Sequence, residues 1–144
     1  MRNKTIGILV LMMFLIVGCG SEQAGDPQSA AVEDYSSLVA ALESTGATVE
    51  SGDPVLQPFF TPDGQTIALN GQAVQLFEYA TAAEAETEAD LVSADGSSVG
   101  TSIMAWIDTP HFYQSGRLIV LYIGNDAATL TLLESVLSPQ FAGG

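Results

Sequence analysis

The stretch from Gln65 to Ala80, QTIALNGQAVQLFEYA, decides the fold class. Gln65–Leu69 and Gln72–Ala80 read as two strands, and the Asn70-Gly71 pair between them is a two-residue hairpin signal. Working upstream, Pro62-Asp63-Gly64 turns the chain into the first of these strands. Val55 to Phe60 is apolar but carries Pro58 and follows Pro54, so it is expected as an edge strand, because proline cannot donate to a ladder. Before it, Asp34 is the expected N-cap of a helix reaching Thr45. Tyr35, Leu38, Val39 and Leu42 recur at helical spacing there, and Gly46 ends it.

Downstream, Thr81 and Glu84 form a capping box that opens a second helix to about Val92. Its Ala82, Ala85 and Ala89 allow close packing. After the loop from Ser93 to Gly100, Thr101–Asp108 and Arg117–Ile123 read as two more strands, the second apolar on both parities and so expected to be central. Asn125 or Asp126 caps a last helix with Leu130, Leu133 and Leu137 on its buried stripe, and Pro139 stops it. The predicted fold is α+β, a two-layer sandwich in which a mainly antiparallel sheet of about five strands packs with three helices in the order α-βββ-α-ββ-α.

The chain has 144 residues, 17 of them Asp or Glu and three Lys or Arg. Arg2 and Lys4 lie at the N-terminus, which leaves Arg117 as the only cation beyond them. So acidic a surface repels phosphate, which excludes nucleic acid as a partner and disfavours unaided adsorption to an anionic membrane. One Cys and one His cannot build a Cys/His zinc site or a disulfide. No cofactor is expected. The acid excess also fits a saline habitat.

Residues 1–18 read as a secretory signal: two cations, then an apolar run from Ile6 to Val17 that falls short of the roughly 20 residues a membrane-spanning helix takes. Ile16-Val17-Gly18-Cys19 resembles the lipobox of bacterial lipoproteins, in which the cysteine is acylated and becomes the first residue of the mature chain. Residues 19–33 are expected to be a flexible tether and residues 34–144 a single globular domain. The protein is then extracytoplasmic, lipid-anchored through Cys19 on the outer face of the cell membrane. In a cell with two membranes, Gly20 after the cysteine resembles the pattern exported to the outer one.

Several groups invite a chemical reading. Gly96-Ser97-Ser98-Val99-Gly100 matches a nucleophile-elbow pattern, with Asp108 and His111 following. An elbow joins a strand to a helix, however, and this stretch follows a helix and precedes a strand. Asp108, His111 and Ser115 form a second nominal triad on sequence proximity alone. No catalytic residue is expected. Glu84, Glu86, Glu88 and Asp90 line the second helix and, with Asp95, are candidates for divalent-cation binding, although no calcium-loop pattern occurs. With Ser115-Gly116 as the turn, Tyr113 pairs opposite Leu118. Trp106, His111, Phe112, Tyr113 and Arg117 then become a candidate binding surface near a hairpin tip. Arg117 is expected to pair with a nearby carboxylate such as Asp108.

Phe77-Glu78-Tyr79-Ala80, the Ala/Glu helix with Asp95-Gly96-Ser97, Trp106 with Pro110-His111-Phe112-Tyr113, and Gly116 to Gly124 together resemble a group of small uncharacterised bacterial lipoproteins. The resemblance implies the lipobox and one globular domain, without an assigned activity. The expected function is a non-catalytic interaction or accessory module of the cell envelope, with an unknown envelope protein as partner. The alternative is a small-ligand or divalent-cation-binding lipoprotein.

Overall fold

A computed structural model describes residues 31–144 of the chain, so Cys19, the signal segment and the tether as far as residue 30 lie outside the described residues. The first helix, α1 (Tyr35–Ser44), is capped as expected. The Asp34 carboxylate accepts from the Ser37 N–H, and the Ser37 hydroxyl accepts in return from the Asp34 N–H. Gly46, at φ +88°, takes the left-handed position that lets the chain leave the helix. Three strands follow, β1 (Val49–Val55), β2 (Gly64–Leu69) and β3 (Gln72–Glu78), then α2 (Ala82–Ala89) and a miniature hairpin, β4 (Ser98–Val99) with β5 (Ser102–Ile103). The chain closes with β6 (Pro110–Ser115), β7 (Leu118–Ile123), α3 (Ala127–Val136) and β8 (Ala142–Gly143).

The main sheet is antiparallel throughout, in the order β1-β2-β3-β7-β6-β8. Its β2–β3 turn is the one expected: Asn70 at φ +49° and Gly71 at φ +86° give the twist that matches flanking strands, and Leu69 pairs with Gln72. The apolar parity of β7 is resolved by its central place. Leu118, Val120 and Tyr122 face one side and Ile119 and Leu121 the other, all buried.

On the first side, Leu38 and Leu42 of α1 and Leu133 of α3 close over Ile67, Leu69, Val74, Leu76 and Tyr113. These two helices and the sheet make the α/β sandwich. The remaining helix, α2, lies on the opposite face, where Ala85 packs in a cluster with Phe60, Phe77, Tyr79, Phe112 and Leu121. The sheet is therefore covered on both sides, the second cover being α2 and two loops.

Four expectations need correction. The edge strand is Val49–Val55, not Val55–Phe60: Pro54 sits where the β1–β2 register slips, and Pro58 lies in a turn that folds Phe59 and Phe60 over the second face. Thr101–Asp108 is not a strand beyond Ser102–Ile103: Trp106 is turned onto the second face, its indole N–H bonded to the Gly96 carbonyl, and the strand that pairs with β7 starts only at Pro110. The β6–β7 turn is Gly116-Arg117, with Ser115 opposite Leu118 and Tyr113 opposite Val120, one residue pair deeper than expected. The second helix stops at Ala89, and Val92 instead bridges to Val99. Two features carried no sequence signal. Ala142–Gly143 adds a sixth strand to the sheet, and the domain begins before Asp34, since Val32 is 4% exposed in the core and its carbonyl accepts from the Ser115 hydroxyl.

Candidate functional site

The aromatic segment expected near a hairpin tip lies in the body of the sheet. Phe112 and Tyr113 are fully buried and His111 is 5% exposed. Alternation explains it: His111 and Tyr113 point to the α1/α3 side, and Phe112 points into the second cluster, ringed by Phe60, Trp106 and Phe141 at 5.9–6.4 Å. His111 stacks on Tyr122 and donates from Nδ1 to the Gln140 side chain at 2.5 Å. Burial, with Glu134 and Tyr122 nearby, pushes the Tyr113 phenol up to about 12. Trp106 is half-buried, its indole N–H donating to the Gly96 carbonyl at 2.7 Å, so it holds the two loops of the second cover together. These residues are core, not surface. Exposed large apolar side chains sit elsewhere, at Leu56, Ile103 and Ile107.

The nominal triads are dispersed as well. The Ser115 hydroxyl donates to the Val32 carbonyl, His111 is bonded to Gln140, and Asp108 accepts from Asn125 and from the Thr109 N–H. Ser97 is turned back on Asp95. Arg117 pairs with Glu78 at 2.5 Å and with Asp34 at 3.7 Å, and donates to the Tyr79 carbonyl; Asp108 is not its partner. The cation thereby ties the start of α1 to the ends of β3 and β7.

The acids of α2 do not converge. Glu84 and Glu88, one turn apart, line one cavity, while Glu86 and Asp90 line another with Gln114 and Phe141. Asp95 closes its own loop, accepting from the Ser93 and Ser97 hydroxyls and the Ser97 N–H, and these bonds, the backbone one first, hold its carboxyl at about 2. Among the described residues no three His, Cys, Asp or Glu side chains come together as a metal site. Glu84, Glu86, Glu88, Asp90 and Asp95, the candidates for divalent-cation binding, are thus divided between two flanks of α2 and the loop that follows it, whereas calcium gathers six to eight oxygens on one centre.

One of these cavities has the makings of a site. It measures about 450 Å³ and is lined by Thr61, Tyr79, Ala83, Glu84, Thr87 and Glu88. Tyr79 extends the β3–β7 pairing by one bond, its N–H donating to the Arg117 carbonyl, before Thr81 starts α2. That places its ring under the helix, next to Ala85, whose small side chain lets α2 sit close. The Tyr79 hydroxyl is buried without a hydrogen-bond partner, and burial first and the Glu88 charge second push its phenol well above the usual range. Across the cavity the Thr61 hydroxyl donates to the Glu88 carboxylate at 2.5 Å, fastening the loop after β1 to the helix. Glu84 and Glu88 were visible in the sequence as an i,i+4 pair. Tyr79 and Thr61 were not, for nothing local links Thr61 to a helix more than twenty residues away.

A scan against protein-family models found no match, and searches of curated proteins and of solved structures found none either.

Proposed function

We propose that this chain is a lipid-anchored extracytoplasmic protein, attached through acylated Cys19 and serving as a non-catalytic interaction or accessory module of the cell envelope. One observation carries the reading: a short apolar run preceded by two cations ends in Ile16-Val17-Gly18-Cys19, and that cysteine is the only one in the chain. Acyl chains contribute about 0.8 kcal/mol per buried CH₂, so more than one on Cys19 would hold even this acidic protein at a bilayer. The resemblance to small bacterial lipoproteins supports the same location.

Two features of the domain fit this role. Its serine, histidine and aspartate candidates are each engaged in separate structural hydrogen bonds, which favours a module without hydrolytic chemistry. Its N-terminal entry is also firmly seated. The Arg117 N–H donates to the Glu33 carbonyl at 2.8 Å and Ser115 to Val32 at 2.7 Å, so a pull transmitted from Cys19 reaches the central strands β6 and β7. The interaction surface shifts from the buried hairpin to exposed apolar positions such as Ile103 and Ile107.

Mass analysis of the mature N-terminus tests the anchoring. An acylated peptide beginning at Cys19 is expected, with Cys19→Ala stalling the precursor or releasing it from the membrane fraction. An unmodified N-terminus beginning elsewhere would end the proposal.

A further inference from the structure

We propose that the cavity between α2 and the Thr61 loop binds a small primary ammonium ion, its N–H groups shared by Glu88, the Tyr79 hydroxyl and Thr61, its alkyl part against Ala83 and the methyl of Thr87. The inference goes beyond membrane anchoring and holds whether or not Cys19 is acylated.

The Tyr79 hydroxyl is the first reason. A buried polar group without a partner is unfavourable, and here it lies on a residue 5% exposed that lines the cavity and feels the charge of Glu88. A donor reaching that oxygen removes the defect. The second reason is charge. Glu84 and Glu88 contribute two carboxylates to one small cavity, and the only Lys or Arg among the described residues, Arg117, is already engaged by Glu78 and Asp34. The domain around them is strongly acidic, which raises the local concentration of any cation.

The third reason is shape. Tyr79, Ala83, Thr61 and Thr87 give the cavity largely apolar walls, suited to an alkyl chain. A hard divalent ion needs its oxygen ligands converged on one point, whereas here they are spread over the walls and the Thr61 and Thr87 hydroxyls already donate to Glu88 and to the Ala83 carbonyl; a primary ammonium has three donors and a carbon tail.

Titrating the full-length protein with n-butylammonium chloride at constant ionic strength, followed by amide chemical shifts, tests the proposal. Saturable shifts confined to Thr61, Tyr79, Ala83, Thr87 and their neighbours are expected. Glu88→Gln should weaken binding roughly tenfold or more, because a charge-assisted bond is lost, and Tyr79→Phe should weaken it less. Glu86→Gln, on the other flank of α2, should leave it unchanged, and n-butanol should not bind. Shifts spread over the whole acidic surface, an equal response to Glu86→Gln and Glu88→Gln, no saturable response at all, or tighter binding of Ca²⁺ at the same residues would each overturn it. Thr61→Val, exposed and isosteric, removes one of the three oxygens that share the ammonium and serves where Tyr79→Phe perturbs the fold; reduced affinity in that variant is expected.

Discussion

Phe112 and Ile107 are five positions apart, and both belong to a segment rich in large apolar residues. Phe112 is fully enclosed by the rings of Phe60, Trp106 and Phe141, while Ile107 is 96% exposed. Composition alone treats them alike, since exposed apolar residues are ordinary. Their replacement should not behave alike. Phe112→Ala should cost about 3–5 kcal/mol through lost transfer energy and the cavity left among the rings. Ile107→Ser should stay within about 0.5 kcal/mol. Urea unfolding midpoints at unchanged m-values would measure both. Comparable losses in the two variants would contradict the placement of Ile107 outside the core. At this scale Trp106, His111, Phe112 and Tyr113, expected as a surface, pack inward instead, because their orientation depends on a strand register that local sequence does not contain.

Elements whose signals are local were legible. The Thr81/Glu84 box at the start of α2, the Asp34 cap of α1, the Asp126 cap of α3 and the Asn70-Gly71 turn each involve groups within three residues of one another. Thr81→Ala should therefore cost about 1 kcal/mol. Native-state hydrogen exchange would locate the loss: the amides of α2 should speed up more than those of β7, and a uniform change would argue against a local cap. Elements whose existence rests on distant partners were misread. Val55–Phe60 and Thr101–Asp108 have strand-like composition, yet Pro58 lies in a turn of the first, and the aromatics of both are consumed in covering the second face. The two-residue strand β8 has no pattern of its own and exists because Gly143 allows the backbone to approach Pro110, a place where a Cβ would strike the Pro110 carbonyl.

For the molecule as a whole, the acid excess governs how stability responds to solution conditions. Fifteen carboxylates face one guanidinium from residue 31 onward, so added salt at neutral pH should raise the thermal midpoint by screening their repulsion. Acid acts through a smaller set. Hydrogen bonds from Ser37 hold Asp34, and those from Ser97 and Ser93 hold Asp95, at about 2; Thr129 lowers Asp126 as well. These carboxyls titrate near 4 in an unfolded chain, which therefore takes up protons first, so the stability they contribute is present above about pH 4 and is lost as the pH falls toward 2. Asp34→Asn, which keeps an acceptor at the cap, should flatten that acid limb in thermal unfolding measured from pH 5 to 2. By itself the sequence determined the α+β class, the caps, the central hairpin, the buried parity of β7 and the acidity, because each follows from hydrophobic period, turn chemistry or charge acting over a few residues. Only the tertiary structure decided that the aromatic segment is core, that Arg117 joins Glu78 rather than Asp108, and that Thr61 and Tyr79 meet Glu88 around one cavity. Those outcomes are contacts between residues far apart in the chain, set by strand order and by which face of the sheet each loop covers, and no local preference encodes them.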